Sequence, residues 1–275
     1  MTSTADLSGT AFGNVDAVGD TPQVLSYLDL ASACFRDLKR RSYRSLPLRP
    51  GASVLDVGCG SGDDARELAA LVGPRGRVVG IDSSESLIAE ARRRAEGTAP
   101  RPEFRVAEAY RIDFPADTFD ACRADRLFQH LADPPAALAE MVRVCRPGGT
   151  VELVDRDWGL VAVDSDDQAA TRIILDRARS GIRNGWIGRQ LPALFHDAGL
   201  EHVRAEAHPI ALRDFPTADA LLDLTIVAGH AVNEALLSTE QAAAWLRELQ
   251  ARNRAGRFFA ALVMFVVTGR KPRPA

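Results

Sequence analysis

The stretch Val54-Leu55-Asp56-Val57-Gly58-Cys59-Gly60-Ser61-Gly62 is an apolar strand that runs into three glycines at alternate positions. A chain that leaves a strand and turns at once into a helix needs backbone angles and close approaches that a Cβ would block. Asp63 and Asp64 open the helical stretch, and a second apolar run, Val78-Val79-Gly80-Ile81, ends in Asp82. A carboxylate at the tip of that next strand is placed to take both hydroxyls of a ribose. The turn is G-x-G-x-G, not the dinucleotide fingerprint G-x-G-x-x-G, whose third glycine slot is occupied here by Asp63. Two carboxylates in the first helical turn suit the helix dipole but repel a diphosphate, so a cationic nucleoside without phosphate is the better fit.

Further along, Glu103-Phe104-Arg105-Val106 reads as a strand followed by Glu108-Ala109, and Phe119-Asp120-Ala121-Cys122-Arg123 as a strand followed by Gln129-His130-Leu131-Ala132-Asp133-Pro134. Arg143-Val144-Cys145-Arg146-Pro147-Gly148-Gly149-Thr150 makes a turn before another strand. In this order, over Val54 to Val154, the chain resembles the class I S-adenosylmethionine-dependent methyltransferases. The resemblance implies S-adenosyl-L-methionine as cofactor and no nicotinamide. It implies cofactor contacts from Gly58, Gly60 and Gly62, from Asp82 and Ser83 at the ribose, and from Glu108 and Ala109 beside the adenine. Asp56 is expected to hold the loop and the methionine amino group, and Asp125 to reach the cofactor's amino-acid end or to pair locally with Arg126.

Strand and helix signals alternate from Ser53 to Val154, as expected for an α/β, doubly wound, mostly parallel sheet covered on both faces. The resemblance implies seven strands in a Rossmann-like fold, the last two, Val203–Leu212 and Phe258–Thr268, forming a hairpin-like pair. Helical signals cover Pro22 to Leu46, Asp166 to Gly181, Gly188 to Ala198, and Ala218 to Ala255 with a break near Ser238. We expect one domain over residues 21–275, with an N-terminal lid helix at 21–46 and a helical cap insertion at 217–257. Residues 1–20 are polar and rich in Gly, Ser, Thr and Asp, an expected mobile segment unlike a signal peptide.

The 275 residues are 46% hydrophobic and 26% charged with a net charge of −3, which suits a soluble enzyme and offers no basic face for nucleic acid. Only Lys39 and Lys271 are lysine among 34 basic residues, so a single arginine is a weak signal. Cys34, Cys59, Cys122 and Cys145 have neither metal nor disulfide spacing, and the longest apolar run is too short to cross a bilayer. A cytoplasmic location, no metal, no membrane and no nucleic acid are therefore expected.

For chemistry, His130 is the candidate base, because it follows the fourth strand and an imidazole ordinarily titrates near neutrality; the alternative is a structural histidine that hydrogen-bonds a loop. Many relatives carry a His-His pair there, where this chain has Gln129-His130. Asp155 and Asp157 follow the fifth strand and are expected to face the same cavity, as is Trp158. Trp158, Tyr27 and His230 are the candidate acceptor contacts, with packing the alternative for Trp158 and His230. Arg92-Arg93-Arg94 and Asp166-Asp167 read as solvated helix surface. The expected activity is methyl transfer to a small-molecule acceptor of secondary metabolism, polyketide, phenol or quinone-like. The alternative is a cofactor-binding cyclase that closes a polyketide ring without mass change.

Overall fold

The computed structural model describes residues 15–18 and 21–274; most of the segment expected to be mobile lies outside the described residues. Seven strands form one sheet in the order β3-β2-β1-β4-β5-β7-β6. They are β1 Ser53–Val57, β2 Arg77–Asp82, β3 Glu103–Val106, β4 Phe119–Asp125, β5 Cys145–Val163, β6 Glu201–Leu212 and β7 Ala260–Arg270. The first five pair in parallel, whereas β7 runs antiparallel to both β5 and β6. After β1 the chain builds outward through β2 and β3, then returns to place β4 on the other side of β1. That reversal opens a crevice at the carboxyl ends of β1 and β4, where open α/β sheets take ligands.

Strand alternation divides the core into two faces. Leu55, Val57, Cys122, Ala124, Val151 and Leu153 pack beneath α6 (Pro134–Val144) and α8 (Ile187–Asp197). The opposite face is covered at β1 and β2 by α4 (Asp63–Val72) and α5 (Glu85–Arg94). Beyond β4 it is covered by α7 (Gln168–Gly181), α9 (Phe215–Leu222), α10 (Leu224–Asn233) and α11 (Thr239–Arg254), together with α2 (Thr21–Cys34) and α3 (Arg36–Ser42). Each fully buried Leu or Val contributes about 1.5–3 kcal/mol. Helix starts are specified locally. Ser84, Asp133, Asp167 and Asp214 accept backbone N–H bonds at the starts of α5, α6, α7 and α9. Ser238 and Gln241 form a reciprocal capping box at α11, at the break expected near Ser238.

Three expectations about elements need correction. The helix expected over Pro22 to Leu46 breaks at Phe35, so α3 turns in towards the sheet and buries Leu38, Lys39 and Ser42. The fifth strand does not end at Val154; antiparallel pairing with β7 carries it to Val163 past an irregularity between Asp157 and Ala162. Arg94 is not solvated surface, because its guanidinium joins Glu90 on α5 to Asp29 on α2, 2.5 Å away. A four-residue helix, α1 (Val15–Val18), lies ahead of α2, and its Asp16 accepts bonds from Glu85 N–H and the Ser84 and Ser86 hydroxyls at the start of α5.

Candidate cofactor and acceptor site

The glycine loop sits in the crevice with left-handed backbone at Gly58, Gly60 and Gly62, φ 71°, 51° and 78°. At Gly58 a Cβ would come within 3.0 Å of the Leu127 side chain, and Gly58 and Gly60 line the cavity. Gly62 does not line it. A Cβ there would stand 2.6 Å from the Phe104 ring and 3.0 Å from Ala91, so this glycine, expected as a cofactor contact, is placed where it lets α4 and α5 close on the sheet.

Asp82 accepts the Gly60 N–H at 2.9 Å and the Ser84 N–H at 3.0 Å. Burial pushes its carboxyl up, and these two N–H bonds oppose the shift. The loop and the acid therefore hold one another. Ser83, Glu108 and Ala109 line the same end of the cavity. Asp56, 2% exposed, also lines it, and its Oδ2 is buried without a hydrogen-bond partner. Burial pushes Asp56 up to about 8, and the neighbouring Asp64 carboxylate adds to the shift.

Beneath the loop lies a charge cluster that no sequence motif announced. Asp56, Arg123 and Glu152 are register neighbours across β1, β4 and β5, so they stand side by side on one face. Arg123, fully buried, donates to Asp64 Oδ2 at 3.0 Å and lies 3.5 Å from both Asp125 and Glu152. Lys39, on the buried face of α3, reaches Asp64 at 2.7 Å and Asp125 at 3.3 Å. Tyr43 OH donates to Asp64, and Ser45 Oγ to Glu152. Burial pushes Asp64 upward, but Lys39 and Arg123 outweigh it and hold the group below the ordinary carboxylate range. Burial takes Glu152 up to about 7. Asp125 lines the cavity and pairs with Lys39, Arg123 and Arg126, the last at 3.4 Å. Arg126 itself sits in left-handed backbone, φ 56°, a conformation costing about 1–2 kcal/mol in a non-glycine residue.

The cavity continues from the loop past His130, Gln129, Tyr27 and Trp158 to an apolar wall of Ala178, Ile182, Leu221, Leu222 and Val227. His130 is on a 3-10 turn, Phe128–His130, just beyond β4. Gln129, noted in the sequence only as a departure, is a buried linchpin. Its Oε1 accepts the Trp158 indole N–H at 2.8 Å, its Nε2 donates to Arg126 O, and its backbone N–H donates to Asp155. Arg156, also unanticipated, lines the cavity 4.6 Å from the Trp158 ring centroid.

Asp155 and Asp157 do not face this cavity. They share the parity of Leu153, whereas Arg156 and Trp158 share that of Glu152, and alternate residues of a strand point to opposite faces. The Asp155 carboxylate accepts the Gln129 and Arg156 N–H groups, and burial pushes it up to about 7. Asp157, fully buried, is bound by the Arg189 guanidinium and the Gly159 N–H. His230 lies on α10 but not on the cavity wall, to which that helix contributes Leu224's neighbour by one turn, Val227. Among the described residues there is no His, Cys, Asp or Glu cluster able to hold a metal ion, and no helix long and apolar enough to cross a membrane.

The donor set fits a cationic nucleoside bearing an ammonium group: a glycine cradle, acids at Asp82 and Glu108, and an orphaned carboxylate oxygen on Asp56. The same acids oppose a diphosphate. Comparison with known proteins agrees. Residues 54–149 match the model of a methyltransferase domain family. The chain is 38% identical, over 96% of its length and 75% of the relative's, to an uncharacterized 37.1 kDa protein in transposon TN4556 of Streptomyces fradiae. It is 32% identical to the nocamycin O-methyltransferase of Saccharothrix syringae, over 88% of this chain and 92% of that one. Among solved structures, the [4+2]-cyclase SpnF superposes with a TM-score of 0.55 at 22% identity, covering 86% of this chain and 81% of that one, a likeness of fold alone. The glycine-loop geometry, the sheet order and the relatives matched over most of their length together make this chain a member of the class I S-adenosylmethionine-dependent methyltransferases.

Proposed function

We propose that this chain transfers a methyl group from S-adenosylmethionine to a small-molecule acceptor of secondary metabolism, in the cytoplasm. The observation that carries the reading is the continuity of one cavity from the glycine loop to the apolar wall under α2, α7, α9 and α10, so that cofactor and acceptor can share an enclosed space. When bound, S-adenosylmethionine supplies an electrophilic sulfonium methyl, which passes to the attacking atom as the C–S electron pair stays on sulfur.

The protein's share is mostly placement. Asp82, Ser83 and Glu108 hold the nucleoside end, Asp56 takes an ammonium whose charge draws its carboxyl into the ionised form, and Tyr27, Trp158 and the apolar wall orient the acceptor and exclude water. Such alignment is worth up to about 7–11 kcal/mol. His130, at the junction of the two halves, is the group we assign as base where the acceptor arrives protonated, and a base typically adds about 10²–10⁴-fold. The segments 21–46 and 217–257 act as lid and cap in this reading. Oxygen is the favoured acceptor atom, since the relative matched over nearly its whole length is named as an O-methyltransferase.

The test incubates the protein and methyl-labelled S-adenosylmethionine with a metabolite extract of the native host lacking this gene. Mass spectrometry should find a labelled product heavier by one methyl group. An unlabelled isomer of a consumed compound, with the cofactor intact, would replace methyl transfer by ring closure.

A further inference from the structure

Arg156 is 1% exposed and lies on the cavity wall. Its guanidinium donates to the Leu221 backbone carbonyl at 3.1 Å and to the Tyr27 hydroxyl at 2.7 Å. Its Nε, shielded from solvent, has no hydrogen-bond partner. Among the described residues no carboxylate lies within ion-pair distance of it. Asp155, its chain neighbour, feels the positive charge but turns its carboxylate to the other face of the sheet, into the N–H groups of Gln129 and Arg156 itself. Of the other acids on this face, Asp125 is taken by Lys39, Arg123 and Arg126, and Glu152, beneath the cavity, by Arg123 and Ser45, while Asp223, on the wall next to Leu222, makes no ion pair with Arg156.

A cation withdrawn from water without a counter-ion is costly, and two neutral oxygens plus the Trp158 ring, with its attraction for cations, offset only part of that cost. Arginine keeps its proton in proteins, so it cannot escape by neutralising. An anion seated against it would gain a charge-assisted bond, the stronger for the surrounding apolar wall. On the reading of methyl transfer above, the cofactor's own carboxylate stays beside its ammonium at the Asp56 end, and the component that meets Arg156, Tyr27 and Trp158 is the acceptor.

We infer that Arg156, oriented by Tyr27, is the specificity-determining contact for an acceptor that carries an acidic oxygen and binds as the oxyanion. A carboxylate, an enolate and a phenolate share this chemistry. Binding as the anion also prepares the attacking or neighbouring oxygen by keeping its proton off, so His130 is needed least for the most acidic acceptors. Neutral compounds of the same shape meet a guanidinium they cannot satisfy.

The experiment uses the full chain saturated with S-adenosylhomocysteine and two probes of equal size and different charge, 2-naphthoate and 2-naphthamide, titrated calorimetrically. Wild type should bind naphthoate at least tenfold more tightly than naphthamide. Arg156→Gln should abolish the preference, Arg156→Lys should keep part of it, and Tyr27→Phe should weaken it severalfold, with S-adenosylhomocysteine affinity unchanged in each. If Arg156→Gln does not fold, Arg156→Lys and Tyr27→Phe decide. Equal affinity for the two probes, binding of neither, or a preference that survives these substitutions overturns the inference. Because no methyl transfer is measured, a preference for naphthoate in a protein that forms no labelled product would keep the anion site and remove the methyl-transfer reading instead.

Discussion

Arg123 on β4 and Arg156 on β5 are both buried guanidiniums on the same face of one sheet, yet they live in opposite electrostatic conditions. Arg123 is surrounded by Asp64, Asp125 and Glu152, whereas Arg156 meets a carbonyl, a hydroxyl and an aromatic ring. The charges beneath the cofactor half of the cavity are thus paired largely with one another before anything binds, and what is left over there is acidic, the orphaned Asp56 oxygen with Asp82 and Glu108. The acceptor half carries a charge that its own side chains do not cancel. In the first half ion pairs fix geometry; in the second, a charge is left to read the ligand.

The sharpest way to break this comparison is to remove the first arginine. Arg123→Met leaves Asp64 with Lys39 alone, Asp125 with Lys39 and Arg126, and Glu152 with no cation, and losing one partner of a buried ionic cluster typically costs about 3–5 kcal/mol. Urea unfolding should register that loss; a cost below about 1 kcal/mol would mean that the cluster is not an ionic unit. Next in size is the junction between the halves. His130→Gln should slow label transfer to a neutral or weakly acidic acceptor by about 10²-fold or more, and a rate within threefold of wild type would remove it as base.

The cluster should also make stability depend on pH. Burial raises Asp56 to about 8 and Glu152 to about 7, so between about pH 4 and 8 the folded state holds protons that the unfolded chain has released. Stability from these groups is complete below the unfolded carboxyl pKa and is lost as pH rises through 7 and 8. Buried Asp155, also near 7, adds to the same trend from the opposite face. The protein without cofactor should lose about 1–3 kcal/mol between pH 6 and 8.5 by thermal unfolding, and Asp56→Asn should flatten the profile. Stability that rises over that interval would contradict the burial of these acids. The smallest expected effect is on the acceptor side. Asp157→Asn should change the rate of label transfer by less than about threefold, since its carboxylate is turned away from the cavity, and a 10²-fold loss would return Asp157 to the reaction.

What the sequence revealed follows the same division. The placement of Gly58, Gly60, Asp82 and Glu108 on the cavity wall was legible because loop, strand tip and spacing are local features. The strands and helices were legible because apolar period and capping residues such as Ser238 are local too. Arg156 was missed because β5 was expected to end at Val154, which made the following residues look like loop with no fixed parity. Their alternation is imposed by β7, more than 100 residues away in the chain. That nonlocal pairing sends Asp155 and Asp157 to one face and Arg156 and Trp158 to the other. Lys39 was hidden for a related reason: it lies one turn past Phe35 on the inward stripe, but the carboxylates that hold it there, Asp64 and Asp125, arrive from α4 and β4. Gln129 carries no motif, and its role depends on Trp158 and Asp155 arriving from another strand.

The measurement that tests the account most directly is calorimetric titration of S-adenosylmethionine into wild type, Asp82→Ala and Arg156→Gln. Asp82 holds the glycine loop and faces the nucleoside end, and bonds to a charged group are worth about 1.5–3 kcal/mol, so Asp82→Ala should weaken binding by at least tenfold. Arg156→Gln should bind within about threefold of wild type. An Asp82→Ala protein that is folded and binds with unchanged affinity would contradict the assignment of this crevice to the cofactor.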